Sequence, residues 1–214
     1  MPELQLIGSP FSNFVWVCRL ACAEKAVSYT LISASPHTPE VDQIHPLGKI
    51  PVMRHGTLTL CESKAICFYI ERSFDGPALV PSDPADGART EQWISIVNTA
   101  IDPLWVRQYF REYVFPTTPD GSPNRAVIDA TLPKMAPQFA MLDRAVAATG
   151  HLVGSRFTLA DVYLLPILHY MSKVPESAAL LARATQLSAY LERHRSRPTL
   201  QETTPPLLPE RRAA

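Results

Sequence analysis

Alternating apolar and polar residues near the start of the chain predict a β-α-β unit. Residues 3–7 alternate as a half-buried strand does, and residues 28–32 repeat a short strand pattern. The segment between them is apolar on most faces from Ser12 onward, which predicts a helix with Ser12 or Asn13 as its N-cap. A crossover of this kind joins parallel strands through a right-handed connection.

The following stretch combines prolines with a hairpin pattern. The elements that it predicts are a short helix, two strands and a longer helix, at residues 40–45, 52–54, 57–60 and 62–73. His55-Gly56 is the predicted tight turn between the two strands. Glu62-Ser63 opens the last helix, where a carboxylate and a hydroxyl can act at a helix N-terminus. The order βαβ-α-ββα predicts a thioredoxin-like domain.

Beyond a linker rich in proline, aspartate and glycine, the pattern is helical throughout. The first long helix contains Pro103, which should kink or split it near Asp102 because proline lacks an N–H and its ring crowds the preceding turn. The next helix, predicted to end at Thr149, contains Pro133 and Pro137. Each interior proline costs about 3 kcal/mol, so we expect a break or a strong bend there.

A second landmark lies near residue 158. Thr158 and Asp161 have the spacing of a capping box, and Phe157 and Val162 occupy the hydrophobic-staple positions. The run VYLLPILHYM that follows is almost entirely apolar, so it predicts a buried central helix.

The fold class predicted is therefore α/β plus all-α, a thioredoxin-like domain followed by a helical one. The expected boundaries are residues 1–75 for the first domain, 76–86 for the linker and 87–214 for the helical domain. The proline-rich tail, residues 203–214, is expected to be disordered, and folding back over the functional site is the alternative.

Composition and charge argue against several classes of function. Lysines and arginines number 20, aspartates and glutamates also 20, and the formal net charge is 0, so we expect no nucleic-acid partner. No run approaches about 18 apolar residues, and the opening MPELQLIG is strand-like and acidic, so we expect neither a membrane span nor a signal peptide. The four cysteines form no C-x-x-C pair, which fits a reducing cytoplasm. The six histidines show no metal-ligand spacing, so no metal is expected.

Two strings resemble the glutathione-site signature of cytosolic glutathione transferases. These are HPLGKIPV at residues 45–52, with His45 where asparagine is commoner, and ESKAICFYIERSF at residues 62–74. The segments 154–161 and 194–198 resemble motifs of the helical domain in the same family. The resemblance implies a cis bond between Ile50 and Pro51, a homodimer, and glutathione as co-substrate with no other cofactor.

Glutathione chemistry needs a thiolate, and Ser12 is placed to stabilise one. A thiol with a pKa near 8.5 is only roughly 3% ionised at pH 7. Lowering that pKa by about two units requires roughly 2.7 kcal/mol, which a hydrogen bond and a helix N-terminus can together supply. Ser12 follows the first strand and precedes the first helix. Ser9 is the alternative, because a zeta-like alignment of SPFSNFV places it at the thiol, whereas a phi- or theta-like alignment selects Ser12.

The resemblance also implies roles for the other residues of the site. Ile50, just before Pro51, would pair with the backbone of glutathione in a strand-like manner. Glu62 and Ser63 would hold the ammonium and carboxylate of its γ-glutamyl group. The residues expected to reach the glycyl carboxylate are Lys49 and His37. Apart from the resemblance, the aromatic and basic residues around Trp105 and Tyr109 indicate a pocket for the electrophile, lined by these two residues and Phe11, with core packing as the alternative.

The function predicted is glutathione S-transferase activity, in which the activated thiolate attacks a small hydrophobic electrophile. Glutathione-dependent isomerisation or ether cleavage would use the same activated thiol. A non-catalytic glutathione-binding protein is a further alternative. A thiol–disulfide oxidoreductase would require cysteine at position 9 or 12, and both positions are serine.

Overall fold

A four-stranded mixed sheet forms the core of the N-terminal part. The computed structural model describes residues 2–206, and its strands are β1 (Leu4–Ile7), β2 (Thr30–Ile32), β3 (Val52–His55) and β4 (Leu58–Cys61). Their order across the sheet is β2-β1-β3-β4, with β1 and β2 parallel and the other two pairs antiparallel. The predicted parallel β-α-β unit is confirmed.

Three helices accompany this sheet: α1 (Asn13–Glu24), α2 (Pro39–Asp42) and α3 (Ser63–Ser73). The predicted order βαβ-α-ββα is therefore confirmed. The hairpin turn lies one residue later than predicted, at Gly56-Thr57, because His55 still pairs with Leu58 across the two strands. Gly56 has a φ of +61°, a conformation that glycine adopts without steric cost.

The chain packs as two compact units. Residues 2–79 and 197–206 form the first, and residues 80–196 form the second. The elements of the second unit are α4 (Pro84–Ile96), a π-helical stretch (Val97–Phe110), α5 (Arg111–Val114), α6 (Arg125–Val146), α7 (Leu159–Met171), α8 (Pro175–Arg183) and α9 (Thr185–Arg195). All its regular elements are helical, as predicted.

The predicted split near Asp102 is wrong, whereas the kink given as its alternative stays a prediction. The helical path continues without interruption, and the hydrogen bonding changes to the π pattern from Val97 onward. In a π-helix each N–H bonds five residues back rather than four, so the wider turn gives the ring of Pro103 room that an α-turn would not.

The predicted break at Pro133 and Pro137 is also wrong, because α6 runs through both as one helix of 22 residues. Both prolines are on its exposed side. The opposite side is buried at helical spacing by Ile128, Thr131, Met135, Phe139, Leu142 and Val146. Burial of this continuous apolar face outweighs the local cost of the prolines.

The predicted helix start at Thr158 is confirmed, and α7 is buried along almost its whole length. The N–H and the hydroxyl of Thr158 both donate to one carboxylate oxygen of Asp161, at 2.8 and 3.1 Å. The other oxygen of Asp161 accepts from Leu152 N–H and from the hydroxyl of Tyr190, each at 3.0 Å. This one carboxylate therefore joins the start of α7 to α9.

A last helix, α10 (Pro198–Thr203), follows the helices of the second unit in sequence but packs with the first. Arg197 donates two hydrogen bonds, at 3.0 and 2.6 Å, to the buried carboxylate of Glu24 at the end of α1. The boundaries expected from sequence at 75 and 87 stay a prediction. Of the tail expected to be disordered, Thr203 is buried in α10, and residues 207–214 lie outside the described residues.

None of the helices within residues 2–206 has both the length and the apolar character needed to cross a bilayer.

Candidate functional site

Three loops of the first unit meet at one edge of its sheet. Ile7 is opposite Val52 in the β1–β3 ladder, and Val52 is opposite Cys61 in the β3–β4 ladder. Gly8, Pro51 and Glu62 are the residues next to Ile7, Val52 and Cys61, and all three lie at the same end of the sheet. Adjacent strands are about 4.8 Å apart, so the register alone brings the loop after β1, the loop before β3 and the start of α3 together.

Gly8 allows two of these loops to touch. Its φ is +154°, and a Cβ atom there would be 2.6 Å from Cγ2 of Val15 and 3.1 Å from Cβ of Ile50. A larger residue would push the start of α1 away from the loop that precedes β3. No local pattern in the sequence indicates this requirement for glycine, because Ile50 is more than 40 positions away.

Ser12 is the N-cap of α1. Its backbone is extended, with φ −72° and ψ 126°, and its Oγ accepts from Val15 N–H at 3.4 Å. A hydroxyl can accept this bond and still donate its own hydrogen to an anion. Ser12 is half-buried, so its donor lies at the positive end of a 12-residue helix.

Ser9 lies in the turn before α1. Its Oγ accepts from Phe11 N–H at 3.3 Å, and its carbonyl accepts from Ser12 N–H at 3.0 Å. The two serines therefore differ in what surrounds the hydroxyl: Ser12 caps a helix, whereas Ser9 stabilises the turn that leads to it. Phe11 is half-buried in the same turn.

The loop before β3 carries three of the predicted site residues, Lys49, Ile50 and Pro51. The Ile50–Pro51 bond is cis, as the resemblance implied. Lys49 is exposed, and its ammonium makes no hydrogen bond or ion pair within the described part of the chain. His37 is also exposed, has a φ of +60°, and donates its N–H to the carbonyl of Gly48 at 2.9 Å. The structure thus brings His37 beside the residue that precedes Lys49.

Glu62 and Ser63 form the start of α3. Glu62 occupies the N-cap with a φ of +69°, and its side chain is exposed, whereas Ser63 is buried. Within residues 2–206, only three residues other than glycine have positive φ: Ala26, His37 and Glu62. Backbone held in this region costs about 1–3 kcal/mol and clusters at functional sites. Two of the three belong to the predicted site.

His45 belongs to this site, although no role was predicted for it from the sequence. It is only 4% exposed, and its Nδ1 accepts from Leu47 N–H at 3.0 Å. Its Nε2 is 3.4 Å from Oε1 of Glu62. The sequence shows a histidine where asparagine is commoner in the family signature. The partner of His45 can be identified only when the β3–β4 register is known.

Two of the aromatic residues predicted for the electrophile pocket, Trp105 and Tyr109, are fully buried within the second unit. Trp105 stacks on Phe139 with 4.1 Å between ring centroids. Tyr109 donates to Glu176 at 3.0 Å and accepts from Ser177 N–H at 3.0 Å. These contacts give both side chains a structural role, and the assignment of Trp105, Tyr109 and Phe11 to an electrophile pocket stays a prediction.

One group in the second unit has metal-ligand chemistry. Possible ligand atoms of His151, Asp161 and His194 lie within 4.8 Å of one another. Each carboxylate oxygen of Asp161 already accepts two hydrogen bonds, so a cation could bind it only by displacing a donor. This arrangement fits a helix cap better than a metal centre.

Comparison with known proteins assigns both parts of the chain to one family. Residues 6–78 match the family model "Glutathione S-transferase, N-terminal domain", and residues 125–193 match "Glutathione S-transferase, C-terminal domain". "Glutathione S-transferase 3" of Zea mays is 29% identical over 212 residues, which cover 95% of this chain and 94% of the relative.

Solved structures agree with these matches. A theta class glutathione S-transferase from Xanthomonas axonopodis pv. citri, with glutathione bound, has a TM-score of 0.82 and 28% identity. The alignment covers 95% of this chain and 97% of that one. "Glutathione S-transferase III in apo form" has a TM-score of 0.83 and 28% identity, with 98% and 100% covered. The chain belongs to the glutathione S-transferase family, with a thioredoxin-like N-terminal part and a helical C-terminal part.

Proposed function

We propose that this protein is a glutathione transferase in which Ser12 stabilises the thiolate of glutathione. The observation that carries the proposal is the position of the Ser12 hydroxyl at the N-cap of α1, in the loop that leaves the sheet at Gly8. The bound thiolate would accept a hydrogen bond from Ser12 and attack the electrophile without prior proton transfer.

The remaining residues would hold the ends of the tripeptide. The backbone of Ile50 would pair with the cysteinyl residue of glutathione in a strand-like manner. Glu62 would accept from the γ-glutamyl ammonium, and Ser63 would donate to its carboxylate. Lys49 and His37 would attract the glycyl carboxylate, and the exposure of both side chains supports this role.

A redox mechanism through a protein cysteine has little support. Cys18 and Cys22 are fully buried in α1, and burial raises the pKa of both thiols. A thiol of raised pKa is largely protonated at neutral pH and is a poor nucleophile. The activated thiol would therefore belong to glutathione, with Ser12 as its partner and Ser9 as the alternative.

The second substrate would be a small hydrophobic electrophile, and the protein would act as a cytoplasmic homodimer. The family supports both statements. Isomerisation or ether cleavage would use the same thiolate, so a difference between these reactions would come from the electrophile site.

Two measurements on the same sample test the proposal. Calorimetric titration with reduced glutathione near neutral pH tests binding, and an aryl halide conjugation assay tests turnover. The proposal predicts binding and turnover for the unmodified protein. Binding without turnover would favour a non-catalytic binder or a narrow electrophile specificity, and the absence of binding at millimolar glutathione would contradict the proposal.

Matched serine variants then assign the thiol partner. Ser12→Ala should retain glutathione binding but lower turnover, whereas Ser9→Ala should leave turnover close to that of the unmodified protein. If the bound thiol pKa returns from about 6.5 to about 8.5, the thiolate fraction at pH 7 falls about 25-fold. A loss of this size in Ser9→Ala alone would transfer the role to Ser9.

A further inference from the structure

We propose that His45 is a positioning residue, which holds the carboxylate of Glu62 against the turn that presents Lys49 and Ile50. This inference rests on the proposed function, because it concerns how the glutathione site is assembled. His45 lies at the start of the turn 45–48, and its carbonyl accepts from Gly48 N–H at 2.9 Å. Its imidazole faces the start of α3 on the other side.

The hydrogen bond from Leu47 fixes the tautomer of His45. Because Leu47 N–H donates to Nδ1 at 3.0 Å, that nitrogen carries a lone pair and cannot carry the proton. The neutral imidazole must then hold its hydrogen on Nε2. This atom is 3.4 Å from Oε1 of Glu62, so the nitrogen that carries the hydrogen is the one nearest the carboxylate.

The two partners differ greatly in exposure. The side chain of His45 is 4% exposed, whereas that of Glu62 is 67% exposed. An exposed glutamate side chain would otherwise sample several rotamers, and fixing it on ligand binding costs conformational entropy. A buried donor restricts Oε1 in advance and leaves Oε2 for the ammonium group of the ligand.

One side chain therefore connects two parts of the site that are separate in sequence. Asparagine, the commoner residue at this position in the family, is shorter. Its amide can occupy the place of Nδ1 but cannot extend to the place of Nε2. The histidine can make both contacts, so the link to Glu62 depends on the residue that this chain carries.

Two substitutions separate the two contacts. His45→Asn keeps an acceptor for Leu47 N–H but removes the donor near Glu62. His45→Gln keeps a donor near the position of Nε2 but removes the acceptor for Leu47. Gln43→Ala, at an exposed residue in the same segment, is the control.

The probes are reduced glutathione and its deamino analogue, in which a glutaryl group replaces the γ-glutamyl group, titrated by calorimetry. His45→Asn should weaken glutathione binding by roughly three- to tenfold, the size expected for one hydrogen bond to a partly exposed charge. Binding of the deamino analogue should change less than twofold. His45→Gln should keep the ratio of the two dissociation constants but lower the melting temperature, and Gln43→Ala should alter neither.

If His45→Asn leaves the ratio of the two dissociation constants unchanged, as it would if both ligands bound equally more weakly, the role of His45 is overturned. If His45→Asn does not fold, the ratio in His45→Gln decides, since loss of discrimination there would contradict the tautomer argument. Glu62→Gln provides a further check. Adding His45→Asn to this variant should not reduce its preference for glutathione over the deamino analogue any further. The absence of glutathione binding by the unmodified protein would instead overturn the proposed function, and this inference with it.

Discussion

The indole Nε1 of Trp16 donates a hydrogen bond to Oγ1 of Thr203 at 3.0 Å, and both side chains are buried. Trp16 is one helical turn beyond Ser12, and its own N–H bonds to the carbonyl of Ser12 at 2.9 Å. The last described helix therefore contacts the first turns of the helix that Ser12 caps. Arg197 reinforces this contact through Glu24 at the other end of α1.

Removing the hydroxyl of Thr203 should lower stability. Thr203→Val keeps the size of the side chain but loses the acceptor for Trp16, so we expect the free energy of unfolding to fall by about 1 kcal/mol, the net contribution of a typical hydrogen bond. Urea denaturation measures this change. A Thr203→Val variant that is as stable as the unmodified protein would contradict the importance of the bond.

Substitution of the two prolines of α6 should increase stability. Pro133 and Pro137 are exposed in the helix interior, where proline costs about 3 kcal/mol relative to alanine. Replacement with alanine increases the entropy of the unfolded chain, which offsets about 0.4–1 kcal/mol of the gain. Each of Pro133→Ala and Pro137→Ala should therefore raise the free energy of unfolding by about 2–2.6 kcal/mol.

Thermal and urea denaturation would measure the effect of these two substitutions. Lys134→Ala, on the same exposed side of the helix, should change stability by less than about 0.5 kcal/mol. Loss of stability in both proline variants would mean that the helix depends on the prolines in a way that packing does not explain.

Glu176 should make stability sensitive to acid. Although partial burial opposes ionisation, hydrogen bonds from Tyr113, Arg125 and Tyr109 hold the pKa of its carboxyl down at about 2. A carboxyl whose pKa is lower in the folded state contributes stability above its unfolded pKa, near 4.5, and loses it as pH falls toward 2. The slope of stability against pH in this window should therefore be steeper in the unmodified protein than in Glu176→Gln.

The expected difference across that window is about 2 kcal/mol after allowance for the partly exposed position of the group. Denaturation at pH values from 5 to about 2 would measure it. Tyr113→Phe removes one of the donors, so its slope should be intermediate. Parallel slopes in all three proteins would show that Glu176 is not responsible for acid sensitivity.

The sheet and its helices could be predicted because each signal is local. Alternation identified β1, and a glycine turn between two short apolar runs identified β3 and β4. The turn was misplaced by one residue because the flanking His55 can extend a strand as readily as it can enter a turn. The helix start at Thr158 was predictable because its capping partner Asp161 is only three positions away.

The errors arose where distant packing outweighed a local rule. Pro133 and Pro137 remain in one helix because the opposite face of α6 is buried. Trp105 and Tyr109 could not be assigned to core or pocket from sequence, since both surroundings favour aromatic residues at helical spacing. The contact of Trp16 with Thr203 spans 187 positions, and no local pattern indicates it.

The pKa of the glutathione thiol bound to the protein decides whether Ser12 stabilises the thiolate. It is obtained from the thiolate absorbance in the ultraviolet as pH is varied, for the unmodified protein and for Ser12→Ala. We predict a bound thiol pKa about two units below the free value of roughly 8.5, with most of this shift lost in Ser12→Ala. An equal pKa in the two proteins, with glutathione bound in both, would contradict the role of Ser12.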